Sequence, residues 1–96
     1  MSAIVSRRVR AVRLHPDDDV AVVLEPARAG DVVGLESGTV VLRDAVPRFH
    51  KVALRDLPEG SPVRKLGEVI GLAVRPIRTG EHVHVHNLRS ARSTGR

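Results

Sequence analysis

Cysteine is absent from this chain, which excludes disulfides, thiolate metal sites and a cysteine nucleophile. Tryptophan and tyrosine are missing too, and Phe49 is the one aromatic residue, so the stacking platforms typical of single-strand nucleic-acid binders cannot be built. No apolar run approaches the roughly 18 residues needed to cross a bilayer, and the arginine-bearing start lacks the apolar stretch of a signal peptide. No membrane partner is expected, and the cytoplasm is the default compartment. A net charge of +5 raises nucleic acid as a partner. Much of that charge sits in clusters near the ends (Arg7, Arg8, Arg10 and Arg13; Arg89, Arg92 and Arg96), so nucleic acid is not expected either.

What is present points to strands. Ninety-six residues make one domain that buries roughly 60–65% of its unfolded surface. The apolar content is mostly Val, Leu, Ala and Ile in short runs at 8–14, 20–24, 39–42, 52–54 and 69–74. Abundant valine in short runs favours strands over helices. Gly71 inside the last run predicts a bulge or a close backbone approach. No stretch sustains a 3.6-residue apolar period, so helices should be short or single-turn. Residues 27–33, 57–63 and 77–83 share one form: an apolar residue, two variable residues, Gly, two variable residues, Val. Each predicts a strand end, a turn whose Gly takes positive φ, and re-entry into a strand. The run Asp17, Asp18, Asp19 after Pro16 reads as a solvated turn.

The densest chemistry lies at 80–87, where His82, His84 and His86 occupy every second position. On an extended strand they would share one face, with Val83 and Val85 packing on the other. Neighbouring histidines would then stand about 6.8 Å apart and the outer two about 13.5 Å. Metal–nitrogen distances of about 2.0–2.1 Å let two neighbours converge on one ion, but not all three without a bend. A complete site would need a further ligand, such as His50. Imidazole also titrates close enough to neutrality to move a proton.

Four segments resemble the small SAF-type module of the altronate dehydratase (UxaA-like hydrolase) family. Residues 14–22 are similar to its opening His-x-x-Asp-x-Val-Ala. Residues 49–54 resemble Gly-His-Lys-x-Ala-Leu, with Phe49 in the place of Gly. Residues 66–71 resemble Tyr-Gly-x-x-Ile-Gly, with Leu66 in the place of Tyr. Residues 80–87 resemble Gly-Glu-His-Val-His-x-His-Asn, and 88–92 resemble the tail that often follows it. The match spans about residues 10–92.

That resemblance implies a mainly β, β-clip fold of short bent strands over 10–88, between a basic N-terminal tail (1–9) and a flexible basic C-terminal tail (89–96). It also implies the elimination of water or sulfite from anionic sugar acids or related 2-hydroxy acids, with a divalent metal, iron or manganese, held in the complex. Most machinery in such enzymes lies in a much larger domain, so the expected role is a small subunit that completes the site of a large catalytic dehydratase subunit. The competing reading is a non-catalytic SAF interaction or carbohydrate-binding module. The residues expected to act are His84, His86 and His50 in proton transfer; Lys51, Asn87 and His15 on substrate; and His82, His84 and His86 on metal. Asn87 could instead close a turn. Weak self-association is the other partner expected.

Overall fold

Valine-rich segments fold as ten short strands in the structure, a computed structural model that describes residues 6–36 and 38–91. They are β1 (Arg8–Val9), β2 (Ala11–Val12), β3 (Val20–Val23), β4 (Val32–Leu35), β5 (Gly38–Val41), β6 (Lys51–Ala53), β7 (Pro62–Lys65), β8 (Glu68–Ala73), β9 (His82–Val83) and β10 (Leu88–Ser90). None of the described residues forms an α-helix, and no helix is long and apolar enough to cross a membrane.

The strands make three sheets, ordered β1-β4-β5, β2-β3-β6-β9 and β10-β8-β7. The second lies between the other two, because successive side chains on β3 and β6 point to opposite faces. Ala21, Val23 and Val52 join Val9, Val33, Val40, Leu42 and Val46 in one buried cluster. Val20 and Ala53 join Leu57, Val63, Ala73, Ile77 and Val83 in the other. Both clusters are aliphatic, and each fully enclosed Val, Leu or Ile contributes about 1.5–3 kcal/mol. Phe49 lies outside them, 61% exposed.

One plan is used twice: a strand, a turn, a hairpin and a turn. The first copy is β3, 28–31, β4–β5 and 47–50; the second is β6, 58–61, β7–β8 and 78–81. In each turn the N–H of the fourth residue donates to the carbonyl of the first, at 3.0–3.1 Å. The third residue has positive φ: 92° at Gly30, 86° at Gly60, 91° at Gly80 and 69° at Phe49. The glycine echo at three places is therefore a fourfold one. Phe49 hides the fourth turn by taking a glycine conformation, at a cost of about 1–2 kcal/mol for a side chain there. Register at the second hairpin shifts between Val63 and Arg64, which leaves Ile70 as an extra residue beside Gly71. A side chain at Gly71 would strike the Arg89 carbonyl.

Three expectations change. The run 8–14 does not make one strand: β1 pairs parallel with β4 and β2 antiparallel with β3, so it serves two sheets. Strand β1, with buried Val9, lies within the stretch read as an N-terminal tail, and β10 reaches into the C-terminal one; residues 1–5 and 92–96 lie outside the described residues. The aspartate run is a solvated turn at Asp17 alone, since Asp18 is 6% and Asp19 3% exposed. The β7–β8 connection places Leu66 at φ 58° and Gly67 at φ 75°, the two positive values of a type I′ turn. That turn directs both amides outward, and the Asp18 carboxylate accepts them, from Leu66 at 2.9 Å and Gly67 at 2.8 Å. Asp19 accepts the Arg64 amide at 2.8 Å and the Arg55 guanidinium at 2.6 Å.

Burial alone would raise the Asp18 pKa, but the Gly67 and Leu66 amides and the His15 charge outweigh it and hold it below 3.8. A carboxyl depressed in the fold contributes stability above its unfolded value and loses it as pH falls through the folded one. Asp18→Ala is expected to lower stability by about 1–3 kcal/mol, the cost of two turn amides losing their acceptor. Denaturant melts at neutral pH and in acid should also show a weaker acid dependence in the variant.

Candidate functional site

The turn at 47–50 ends on His50, and the next residue starts β6. The turn at 78–81 ends one residue before His82, which starts β9. Antiparallel pairing of these strands, Lys51 opposite Val83 and Val52 opposite His82, sets the two turn exits side by side. His50 Nδ1 lies 2.9 Å from His82 Nε2, so one ring donates and the other accepts. The Asp44 carboxylate accepts the His82 backbone N–H at 2.9 Å and fixes its position.

The histidine row is not an extended strand. Strand β9 stops at Val83, and the backbone turns through 84–87. Asn87 makes the turn: its Oδ1 accepts the His84 amide at 3.0 Å, and its Nδ2 donates to the His82 carbonyl at 2.8 Å. Val83 stays buried, but Val85 is 81% exposed and shares no packing face with it. This bend removes the limit of two convergent imidazoles. His84 stacks on His50 with ring centroids 4.4 Å apart, and His82 and His84 lie 5.4 Å apart.

One ligand nitrogen from each of His50, His82 and His84 lies within 4.8 Å of the others. Tetrahedral coordination at about 2.0–2.1 Å needs nitrogens about 3.3–3.4 Å apart, a closure within the reach of side-chain rotation. The donor set fits a divalent transition metal, and three protein ligands leave a position open, as in catalytic sites. Of the residues expected on metal, His82 and His84 belong to this trio and His86 does not. His50 takes the third place, while the His86 ring sits 5.4 Å from that of His82. Asn87 is buried and spends its amide on its own turn.

Electrostatics favour the neutral form of His82 and of His84. Burial, then the charges of His50, His86 and His84, pull His82 down to about 4 despite Asp44. Burial, then His50, Lys51 and His86, lower His84. Neutral imidazole is the ligating form, so metal binding at neutral pH displaces few protons. Lys51 is half-buried, and burial followed by the Lys65 charge lowers its pKa. Both lysines line a groove of about 350 Å³ together with His84, Ile70, Leu88 and Ser90. His15 is elsewhere: with Arg8, Arg13 and Glu36 it lines a separate groove of about 710 Å³. Its Nδ1 accepts the Asp17 amide at 3.0 Å. Sequence reasoning missed Asp44 and Lys65. The rarity of lysine was a signal for the second; nothing local marked the first.

Layers of short strands turned by bent hairpins, with imidazoles gathered where two turns meet, define a β-clip module with a histidine cluster at one edge. Residues 9–91 match the family described as the altronate/galactarate dehydratase SAF domain, and the chain belongs to that family. It is 43% identical over 79 residues to altronate dehydratase of Escherichia coli, which covers 82% of this chain and 16% of that protein. It is 40% identical over 90 residues to (2R)-sulfolactate sulfo-lyase subunit alpha of Chromohalobacter salexigens, covering 82% of this chain and 93% of that protein. Galactarate dehydratase (L-threo-forming) of Escherichia coli is 35% identical over 77 residues, 75% of this chain and 14% of that protein. The chain thus spans about a sixth of the dehydratases it matches and nearly all of the sulfo-lyase subunit.

A histidine held neutral in the fold contributes stability above its unfolded pKa and loses it as pH falls towards the folded value. His82 is expected to titrate at about 4 by NMR of its ring protons, and thermal stability should fall as pH drops from 6.5 towards that value. A midpoint near 6.5 for His82 would contradict the desolvated cluster.

Proposed function

We propose that this chain is the small subunit or module of a metal-assisted lyase that eliminates water or sulfite from a 2-hydroxy acid, completing the site of a large catalytic partner. The observation that carries this reading is the convergence of His50, His82 and His84 beside a groove with two lysines. The family, and likeness to a protein named as a subunit, support it.

α,β-Elimination removes the proton beside the carboxylate, protonates the leaving group and holds the carboxylate while negative charge develops on it. In this reading His50, His82 and His84 hold a divalent metal, iron or manganese. That ion would supply Lewis-acid polarisation of the leaving hydroxyl. Lys51 binds the substrate carboxylate through its ammonium. His86, outside the trio but beside His82, carries the proton to or from the reacting groups. Asn87 positions the site by keeping His84 turned back onto His50. The open groove offers no enclosure of its own, and a partner closing over it supplies the exclusion of water that such chemistry needs. His15 plays no part here, since it lines the other groove.

The test compares parent and His84→Ala, each assembled with the large subunit. The His84 ring holds no turn hydrogen bond, so the variant should melt within about 1 kcal/mol of the parent. Turnover should fall by about 10²-fold or more, the scale for losing a ligand or an acid–base group. A variant that folds, docks and turns over like the parent would end this reading, and activity lost only in step with unfolding would make His84 structural.

A further inference from the structure

Among the described residues, two other than glycine hold left-handed backbone: Phe49 at φ 69° and Leu66 at φ 58°. Both are large, apolar and more than half exposed. Gly30, Gly60 and Gly80 fill the turn position equivalent to Phe49, so the repeat itself shows what the backbone prefers there. Burial does not offset the strain, because the Phe49 ring joins neither aliphatic cluster. Over its face lies the Arg48 guanidinium, 4.6 Å from the ring centroid. Strain that nothing inside the chain relieves points to a role outside it.

The location of these residues indicates which role. Phe49 precedes His50 of the trio, Leu66 follows Lys65 of the lysine groove, and the exposed Val85 lines that groove. Arg48, Lys51 and Lys65 make no ion pair with a carboxylate among the described residues. Aromatic and arginine side chains are both enriched at protein interfaces, where a ring fills a pocket and acidic groups meet the cation.

We infer that Phe49 is the anchor of a docking surface over the histidine cluster, its ring filling an apolar pocket of a partner protein whose rim carries carboxylates for Arg48. This deepens the reading above, from which it takes the identity of that partner as the large catalytic subunit. Phe49 is then a specificity-determining residue. A module with glycine in this turn, as in the Gly-His-Lys pattern that residues 49–54 resemble, leaves the pocket empty.

Titration calorimetry of the full chain with the large subunit tests this, beside thermal melts of the free chain. Phe49→Gly is expected to melt as high as the parent or about 2–6 °C above it, since relief of strain is partly offset by the freedom of glycine in the unfolded chain. Its affinity for the large subunit should fall by about 30-fold or more, the scale for truncating an aromatic anchor. Phe49→Ala keeps the strain without the ring, and should lose affinity with no rise in melting temperature. Leu14→Ala, on the other groove, should bind like the parent. A Phe49→Gly variant that assembles like the parent, or melts well below it, would overturn the inference, as would an equal loss of affinity from Leu14→Ala. Self-association of the parent that disappears in Phe49→Gly would assign the surface to a second copy and overturn it also. Normal assembly of Phe49→Gly, with turnover still lost in His84→Ala, defeats this inference alone. A parent that does not assemble with the large subunit defeats the underlying reading as well.

Discussion

Antiparallel pairing of β6 with β9 is the contact on which the site depends. Each strand follows one of the four equivalent turns, so joining them brings two turn exits together and with them His50 and His82. Those exits are stiff, because a closing hydrogen bond and a positive-φ residue fix where each strand begins. At one exit the conformation is held by Phe49 rather than Gly. His50 is presented as the repeat demands, even though the residue before it is costly there.

The second determinant is how the chain leaves β9. Had the strand run on, His84 would share the face of His82 but stand about 6.8 Å further along it. The buried amide of Asn87 instead closes the turn on both sides, returning His84 to stack on His50. Rings this close repel one another when protonated, and burial opposes the charge of His82 and His84 as well, which favours the lone pairs a metal needs on those two. The ammonium groups of Lys51 and Lys65 lie alongside without carboxylates. Local chemistry is therefore imidazole nitrogen donors on one side and uncompensated positive charge on the other, a combination suited to a metal and an organic anion together.

Much of this was legible in the sequence. Val-rich runs and recurring Gly turns foretold a β fold of short strands, and resemblance over four segments foretold the family. What failed did so for want of long-range information. A period-2 histidine row reads as a strand until one knows that β9 pairs through two residues only. Asp18 and Asp19 read as solvated because their partners at Arg64, Leu66 and Gly67 lie 45 to 49 residues away. Phe49 concealed a turn because side-chain identity, not backbone conformation, is what a sequence displays. His50 was recognisable as a candidate, but its place in the trio follows from pairing across 32 residues.

The central claim is that three imidazoles from two turn exits share one ion. X-ray absorption of the full chain loaded with one equivalent of cobalt(II) tests it most directly, by counting imidazole ligands in the parent and in His50→Ala and His86→Ala. The account predicts three in the parent, two after loss of His50, and three after loss of His86. A parent with two, or a count that falls with His86 and not with His50, would contradict it.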